Sequence, residues 1–243
     1  MSQTEAATRQ TVADTKTRIL DAAEALFISG GFDALSMRQI TATAQVNLAA
    51  VNYHFGSKDA LIQAVLARQL DVLNASRLQM LDKLESKLGA ALKCEHVLIA
   101  MFLPAERIAQ SGPATAERYT QFLGRAYTDP SPVVRDFIDS AYLQTQGRFF
   151  LAFRRTLPDL SLGDLAFRLN FAMGSLAVIL SGGELQRLRK EFTQGQGDHE
   201  AFVMSRLISL MTAALQAPMP GPNDTDMFDS IAKVQARTAA ASN

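Results

Sequence analysis

The chain has 243 residues, 48 % of them apolar, and its 24 basic side chains are matched by 24 acidic ones. That length allows one large or two small domains with a substantial core, and the balanced charge gives no overall basic footprint for nucleic acid. No run of 18 uncharged apolar residues occurs, the polar start lacks a signal-peptide apolar region, and the single Cys94 excludes an intrachain disulfide and a cysteine-rich zinc site, which together fit a reducing cytoplasm.

Strand signals are nearly absent, because no segment alternates apolar and polar residues between turn signals. Helical spacing recurs instead, so the expected class is all-α. Residues 1–13 read as a mobile N-terminal arm. A first helix is expected from about Thr15 to Ser29, capped by Asp14 or Thr15, with Ile19, Ala23, Leu26 and Phe27 on its apolar face. Gly30-Gly31 ends it, since glycine takes the left-handed conformation that a helix end favours. Ser36-Met37-Arg38-Gln39 fits a capping box for a second helix that stops near Ala44. Only Gln45 and Val46 separate it from a third, capped by Asn47 and reaching about Phe55. Ile40, Val46, Val51 and Phe55 close a small core against the first helix. Two helices joined by so short a turn cross steeply and leave one face of the second free for a major groove.

That face supplies the candidate nucleic-acid contacts. Asn47, Leu48, Ala49 and Asn52 point away from Val51 and Phe55. Asn52 is the best base-edge reader, because an Asn amide pairs bidentately with adenine, while Leu48, Ala49 and Ala50 suit thymine methyls or close approach. Ser36, Arg38, Tyr53 and Lys58 are placed for phosphates, with His54 either a contact or a packing residue. Ser57 caps the next helix, whose first N–H groups favour an anion.

A fourth helix is expected over about Lys58 to Leu78 with Leu61, Val65, Leu66 and Leu70 as its stripe. A fifth helical segment lies within residues 88–112; Pro104 should kink or break it, and Ser111-Gly112-Pro113 stops it. Ala114 to Tyr127 reads as a helix. Ser131 then caps a long one reaching about Arg155, with Pro132 in its first turn. Met101, Phe102, Phe122, Tyr127, Phe137, Tyr142, Phe149, Phe150 and Phe153 are candidate lining for an apolar cavity that would suit an acyl chain, at ~0.8 kcal/mol per buried methylene. Arg118, Arg125, Arg154 and Arg155 are alternative partners for a charged head group, and Arg125 is carried forward as a pocket residue.

Ser161 opens a helix through Leu165, Phe167, Phe171 and Leu176 to Gly182-Gly183, and Asp198 opens a last one through Phe202, Leu207 and Leu210 to about Gln216. The former is apolar nearly all round and must be buried on several sides. Phe167, Phe171, Gly174, Ser175, Phe202, Leu207 and Leu210 are the candidate homodimer contacts, two helices per subunit forming a four-helix bundle. Residues 14–60 thus form a three-helix DNA-binding unit, residues 61–217 a helical ligand-binding and dimerisation domain, and residues 218–243 a Pro- and Gly-rich flexible tail with a short helix around Met227 to Ala236.

Catalysis finds no support. His54, His96 and His199 lie far apart, and neither a phosphate-cradling glycine loop nor a nucleophile elbow is present. No cofactor is expected. A helical scaffold that binds only proteins stays open as a different class.

Arg18-Ile19-Leu20-Asp21-Ala22-Ala23, Gly31-Phe32, Ser36-Met37-Arg38-Gln39-Ile40 and Tyr53-His54-Phe55-Gly56-Ser57-Lys58-Asp59-Ala60-Leu61 occur in order over nearly fifty residues. This run resembles the N-terminal domain of the TetR family of bacterial transcriptional regulators. The resemblance implies an all-helical homodimer with two DNA-binding heads on a palindromic operator. It also implies a small effector in the body that changes the spacing of the heads and releases DNA. Residues 46–58 further resemble the recognition helix of a fatty-acid-responsive repressor of that family, with looser likeness at residues 122–127 and 171–174; a fatty acid or acyl-CoA is therefore the expected effector, the alternative being a regulator of efflux or stress genes with another hydrophobic ligand. Two departures stand out. Gln45 occupies a place where the family often has glycine, and Asn52 one where it often has an aromatic or basic residue.

Overall fold

The computed structural model describes residues 3–109, 113–181, 199–219, Gly221 and Asp226. Ten α-helices follow one another among them: α1 (Gln3–Ala34), α2 (Met37–Ala44), α3 (Leu48–Phe55), α4 (Lys58–Leu88), α5 (Cys94–Ala109), α6 (Pro113–Thr128), α7 (Pro132–Ala141), α8 (Leu143–Thr156), α9 (Leu162–Ser181) and α10 (His199–Gln216). No strand occurs among the described residues. The expected all-α class holds. The stop at residues 111–112, Gly182-Gly183, the Asp198 cap and the short helix of the tail fall outside the described residues, and so does the side chain of Phe202.

The small helices form for local reasons. Ser36 is extended (φ −120°) and its Oγ accepts from the Gln39 N–H at 3.2 Å, while Gln39 Oε1 accepts from the Ser36 hydroxyl. Asn47 Oδ1 accepts from the Ala50 N–H at 2.8 Å, and Ser57 Oγ from that of Ala60 at 3.1 Å. Each cap satisfies a first-turn donor that the helix itself leaves open. Gln45 closes α2 in the left-handed region (φ 53°, ψ 48°), a conformation that costs a residue with a Cβ roughly 1–2 kcal/mol. Arg18 of α1 braces this turn: its Nη2 donates to the carbonyls of Ala44 at 2.5 Å and Gln45 at 2.8 Å.

Several sequence expectations are corrected here. The first helix starts neither at Asp14 nor at Thr15, since α1 runs back through the presumed arm to Gln3. Gly31 does not end it but kinks it (φ 74°), and one more turn carries it to Ala34. The α4 helix outlasts its expected end by ten residues, to Leu88. Pro104 lies within α5 without breaking it. The single helix expected from Ser131 to Arg155 is two, α7 and α8, divided at Tyr142 (φ −113°, ψ 17°). There the Tyr142 hydroxyl donates to Asp71 Oδ1 of α4 at 2.7 Å, a contact that the chain reaches by turning. Ser131 makes no side-chain cap; its N–H donates to Asp129 Oδ1 instead. Finally, residues 162–179 have a mean hydropathy of 1.3 and are long enough to cross a bilayer, although Asp164 and Arg168 interrupt them. The expectation that no run of 18 uncharged apolar residues occurs stands, because these two charges fall within the stretch.

Two apolar clusters build the interior. In the first, Ile19 and Phe27 of α1, Ile40 of α2 and Val51 of α3 meet Leu61, Ile62, Leu66 and Leu70 of α4 together with Phe122, Leu123, Val134 and Ile138 of α6 and α7. The head core therefore continues into the body, and packing does not stop at residue 60. In the second, Leu81, Val97, Phe149, Phe153, Leu165 and Leu215 join α4, α5, α8, α9 and α10. Arg148 of α8 bonds Glu85 and Asp82 of α4, and the Arg148 guanidinium holds the Glu85 carboxyl below its ordinary value.

Replacing Gln45 by Gly should relieve the left-handed turn at the cost of some unfolded-chain entropy, raising Tm by about 1–4 °C in a thermal melt. A lower Tm would show that the Gln45 side chain compensates the strain.

Candidate nucleic-acid interface and body cavity

The α3 helix stands on Val51, which is fully buried against the first cluster, and on the half-buried Phe55. Its other side is open. Asn47, Leu48, Ala49, Asn52 and Tyr53 are exposed, Tyr53 to 80 %, while Ala50 and His54 are half-buried. An exposed tyrosine beside small residues on this eight-residue helix has a shape that suits a groove. Ser36 and Arg38 are exposed at the start of α2. The Ser36 hydroxyl and the Asn47 Oδ1 are engaged as caps, so Asn47 has its amide N–H groups left for a partner. His54 packs edge-on to Tyr53, ring centroids 5.2 Å apart. Lys58 holds its ammonium 4.2 Å from the centre of the Phe32 ring, which positions the charge at the N-terminus of α4.

Sequence reading missed Lys16. It is exposed on α1, with Nζ 6.0 Å from the Phe55 ring centre at the end of α3. Its signal was weak, because only the fold brings residue 16 beside residue 55. Residues 1–60 carry five Lys or Arg against six Asp or Glu, a balance that by itself disfavours DNA. Two of the acidic residues counted there, Asp21 and Glu24, face the body: Arg68 of α4 bonds both at 2.7 and 2.6 Å, and Arg118 of α6 bonds Glu24 at 3.0 Å. These carboxylates are neutralised away from α3.

The same contacts fasten head to body. Glu24 is 5 % exposed and also accepts from Gln69 Nε2 at 2.7 Å. At the far end of α1, the Phe32 N–H donates to Asp129 Oδ2 at 3.0 Å, in a buried position just after α6. Gly31 is needed there twice over. Its φ is left-handed, and a Cβ would stand 2.5 Å from Asp129 Oδ2.

The body holds a cavity of two adjoining lobes, each of about 360 Å³, which share Arg77, Tyr127, Ile138, Asp139, Asn170 and Met173. Of the expected lining, Met101, Tyr127, Tyr142, Phe149, Phe150 and Phe153 line the first lobe and Phe102 the second. Three expected residues lie elsewhere. Phe122 is core, its ring 6.0 Å from that of Phe27. Phe137 packs on the first cluster. Arg125 lies beside Gly31 at the joint, with a Cβ there 3.6 Å from its Cδ. Arg118 and Arg155 are spent on Glu24 and Glu85. Arg77, a buried cation that borders both lobes, was missed. No group of three or more His, Cys, Asp or Glu able to hold a metal occurs among the described residues.

On α9, Phe167 (74 %) and Phe171 (63 %) are exposed together with Gly174, Ser175 and Val178, and Leu210 (69 %) is exposed on α10, where Leu207 is half-buried. Positions 167, 171, 174 and 178 fall on one helical face. A Cβ added at Gly174 meets nothing within 4 Å. The opposite side of α9 packs on α6, and Arg168 donates to the carbonyls of Leu215 and Ala217.

Comparison with known proteins bears on both parts of the chain. Residues 19–65 match the model of "Bacterial regulatory proteins, tetR family", and residues 99–214 that of "Tetracyclin repressor-like, C-terminal domain". The chain is 42 % identical over 52 residues to the HTH-type transcriptional regulator UidR of Escherichia coli strain K12, a match spanning 21 % of this chain and 26 % of UidR. A solved structure of a tetR family transcription regulator from Shewanella sp. PV-4 superposes with a TM-score of 0.57 at 17 % identity, covering 82 % of this chain and 97 % of that one. The probable transcriptional regulatory protein RHA5900 gives 0.52 at 18 % identity, over 84 % and 100 %. These two likenesses concern the fold.

Docking of the α3 face in a groove makes the two flanking residues behave differently. Lys58→Ala should weaken binding to a palindromic duplex and flatten the slope of log K against log salt by about 1, whereas Tyr53→Ala should weaken binding with little change of slope. Unchanged affinity in both variants, at unchanged helicity, would remove the face from the interface.

Proposed function

The chain belongs to the TetR family and is a transcriptional regulator with a helix-turn-helix DNA-binding domain, and from that premise we propose that it works as a cytoplasmic, ligand-responsive repressor. Two copies grip a palindromic operator, and a small apolar effector such as a fatty acid or acyl-CoA releases it. The observation that carries the DNA part is the open α3 face, anchored by Val51 behind and offering Asn52 and Tyr53 in front. Asn52 is assigned to a base edge, and Tyr53, Arg38, Lys58 and Lys16 to phosphates.

Pairing is assigned to α9 and α10. A stripe of Phe167, Phe171 and Val178 with Leu210 is too apolar to be left in water, and an isologous contact of two copies covers it by two-fold symmetry. A bilayer is the other apolar medium that such a face could meet. Arg168 and Asn170 inside the same helix, with one side already packed on α6, favour the protein partner.

Response to effector is assigned to α6. Leu123, Ala126 and Tyr127 wall the cavity, and one residue past the helix Asp129 holds the kinked end of α1. A guest that displaces this wall displaces the clasp, so the head tilts. The resemblance of residues 46–58 to the recognition helix of PsrA, a fatty-acid-responsive repressor, supports the effector class, as does an aromatic-lined cavity of a size usual for small ligands.

Mobility shift on the DNA upstream of the protein's own reading frame should show a complex that fatty acids or acyl-CoAs dissolve. A complex indifferent to all of them would refute the effector while leaving the regulator. Phe171→Arg should convert the dimer to monomer in sedimentation and reduce operator affinity by an order of magnitude or more, since the two heads lose their linkage. A dimer that survives this change would place the pairing surface elsewhere.

A further inference from the structure

Arg77 stands in the buried face of α4, between Leu73 and Leu81, with 7 % of its surface exposed. It borders both lobes of the cavity. Its Nε donates to the Met101 carbonyl at 2.8 Å, and its Nη1 to Asn74 Oδ1 and Tyr127 Oη at 3.1 Å each. All three acceptors are neutral. Among the described residues no carboxylate forms an ion pair with it. Asp139, which borders both lobes, is exposed and beyond ion-pair distance, and Asp71 accepts from Tyr142. A guanidinium cannot lose its proton to escape burial, and a buried charge without a counter-charge is costly. An anion within the cavity would offset that cost.

The remaining donors fit that need. Nη1 is fully used, but both N–H groups of Nη2 lack a described partner. Tyr127 Oη accepts from Nη1 and keeps its own proton to donate, and Tyr127 borders both lobes as well. A second phenol, Tyr119, is buried with its hydroxyl unpartnered, and burial pushes its pKa up, but it borders neither lobe. Around these donors the walls are apolar: Phe149, Phe153, Leu169 and Met173.

We propose that Arg77 and Tyr127 form the head-group site for an organic anion, and that the effector is a free carboxylic acid with an apolar body. The site rests on the reading of the body as an effector-binding domain and narrows its two effector chemistries to one. The carboxylate accepts from Nη2 and from the Tyr127 hydroxyl, while the chain lies along Phe149 and Phe153. An acyl-CoA offers only a neutral thioester carbonyl at this place, which cannot answer the charge of Arg77. An alcohol of equal length supplies the apolar body without the charge.

Calorimetric titration of the full chain at neutral pH with decanoic acid, 1-decanol and decanoyl-CoA tests this in the absence of DNA. Decanoic acid should bind more tightly than decanol by about tenfold or more, the range for a charge-assisted hydrogen bond, and more tightly than decanoyl-CoA. Arg77→Leu should abolish the preference for acid over alcohol while still binding decanol, and Arg77→Lys should keep part of it. Should Arg77→Leu fail to fold by circular dichroism, the acid-to-alcohol ratio of the natural protein decides alone. Equal affinity for acid and alcohol, tighter binding of decanoyl-CoA, no binding of any straight-chain acid from hexanoic to hexadecanoic, or an Arg77→Leu variant that keeps its acid preference would each overturn the proposal. The DNA complex is followed in a separate titration. Acid that binds through Arg77 yet leaves DNA bound would sustain this site and refute effector release, whereas release by decanol alone would do the reverse.

Discussion

Two buried carboxylates, Glu24 and Asp129, hold the DNA-binding head in one orientation on the body. Glu24 is 5 % exposed and Asp129 4 %, and neither is left without donors. Glu24 accepts from Arg68, Gln69 and Arg118, which joins the middle of α1 to both α4 and α6. Asp129 accepts from the Phe32 and Ser131 N–H groups, which joins the end of α1 to the turn after α6. The two attachments lie on either side of Phe27, whose ring packs on Phe122 of α6. Ion pairs that are only partly exposed, anchored by a shared apolar core, resist rotation far better than surface pairs. The α1 helix is therefore as much a part of the body as of the head.

That arrangement gives α6 its importance. One side of the helix borders the second lobe of the cavity, its start carries Arg118 toward Glu24, and its end leads into Asp129. A packed core does not deform continuously, so a small shift in such a helix passes to its neighbours as a discrete rearrangement. The required glycine at Gly31 sits against Asp129 and Arg125, which places the least tolerant backbone of α1 next to the body, whereas the strained Gln45 closes α2 beside Arg18. In the proposed mechanism the effector acts through this joint, and no direct contact between ligand and head is needed.

What the amino-acid order disclosed follows from the range of the forces involved. The caps at Ser36, Asn47 and Ser57 bond three residues along the chain, so their spacing alone foretold α2, α3 and α4, while the left-handed Gln45 could be suspected only from the glycine that the resembling family often has there. The division at Tyr142 could not be foretold, because its cause, Asp71, is remote in sequence. Nor could the neutralisation of Asp21 and Glu24 by Arg68 and Arg118, which is why the summed charge of the head misled. Arg125 was assigned to the cavity on residue type, whereas the rotation of α6 turns it toward Gly31. Arg77 did leave a legible sign. It continues the apolar row Leu66, Leu70, Leu73 toward Leu81, a place where a charge must either be neutralised or serve a purpose.

In the proposed dimer, the role of the joint can be measured as the distance between the two heads. A spin label on Thr43→Cys, an exposed position on α2, reports it by pulsed electron resonance, and the buried Cys94 stays unlabelled. With the joint intact, the operator-bound dimer should give one narrow distance. With Asp129→Ala and Glu24→Gln it should give a broad distribution at unchanged dimer mass. Distributions that coincide, free and bound, with and without the two carboxylates, would mean that the head takes its orientation from something other than α1 and α6.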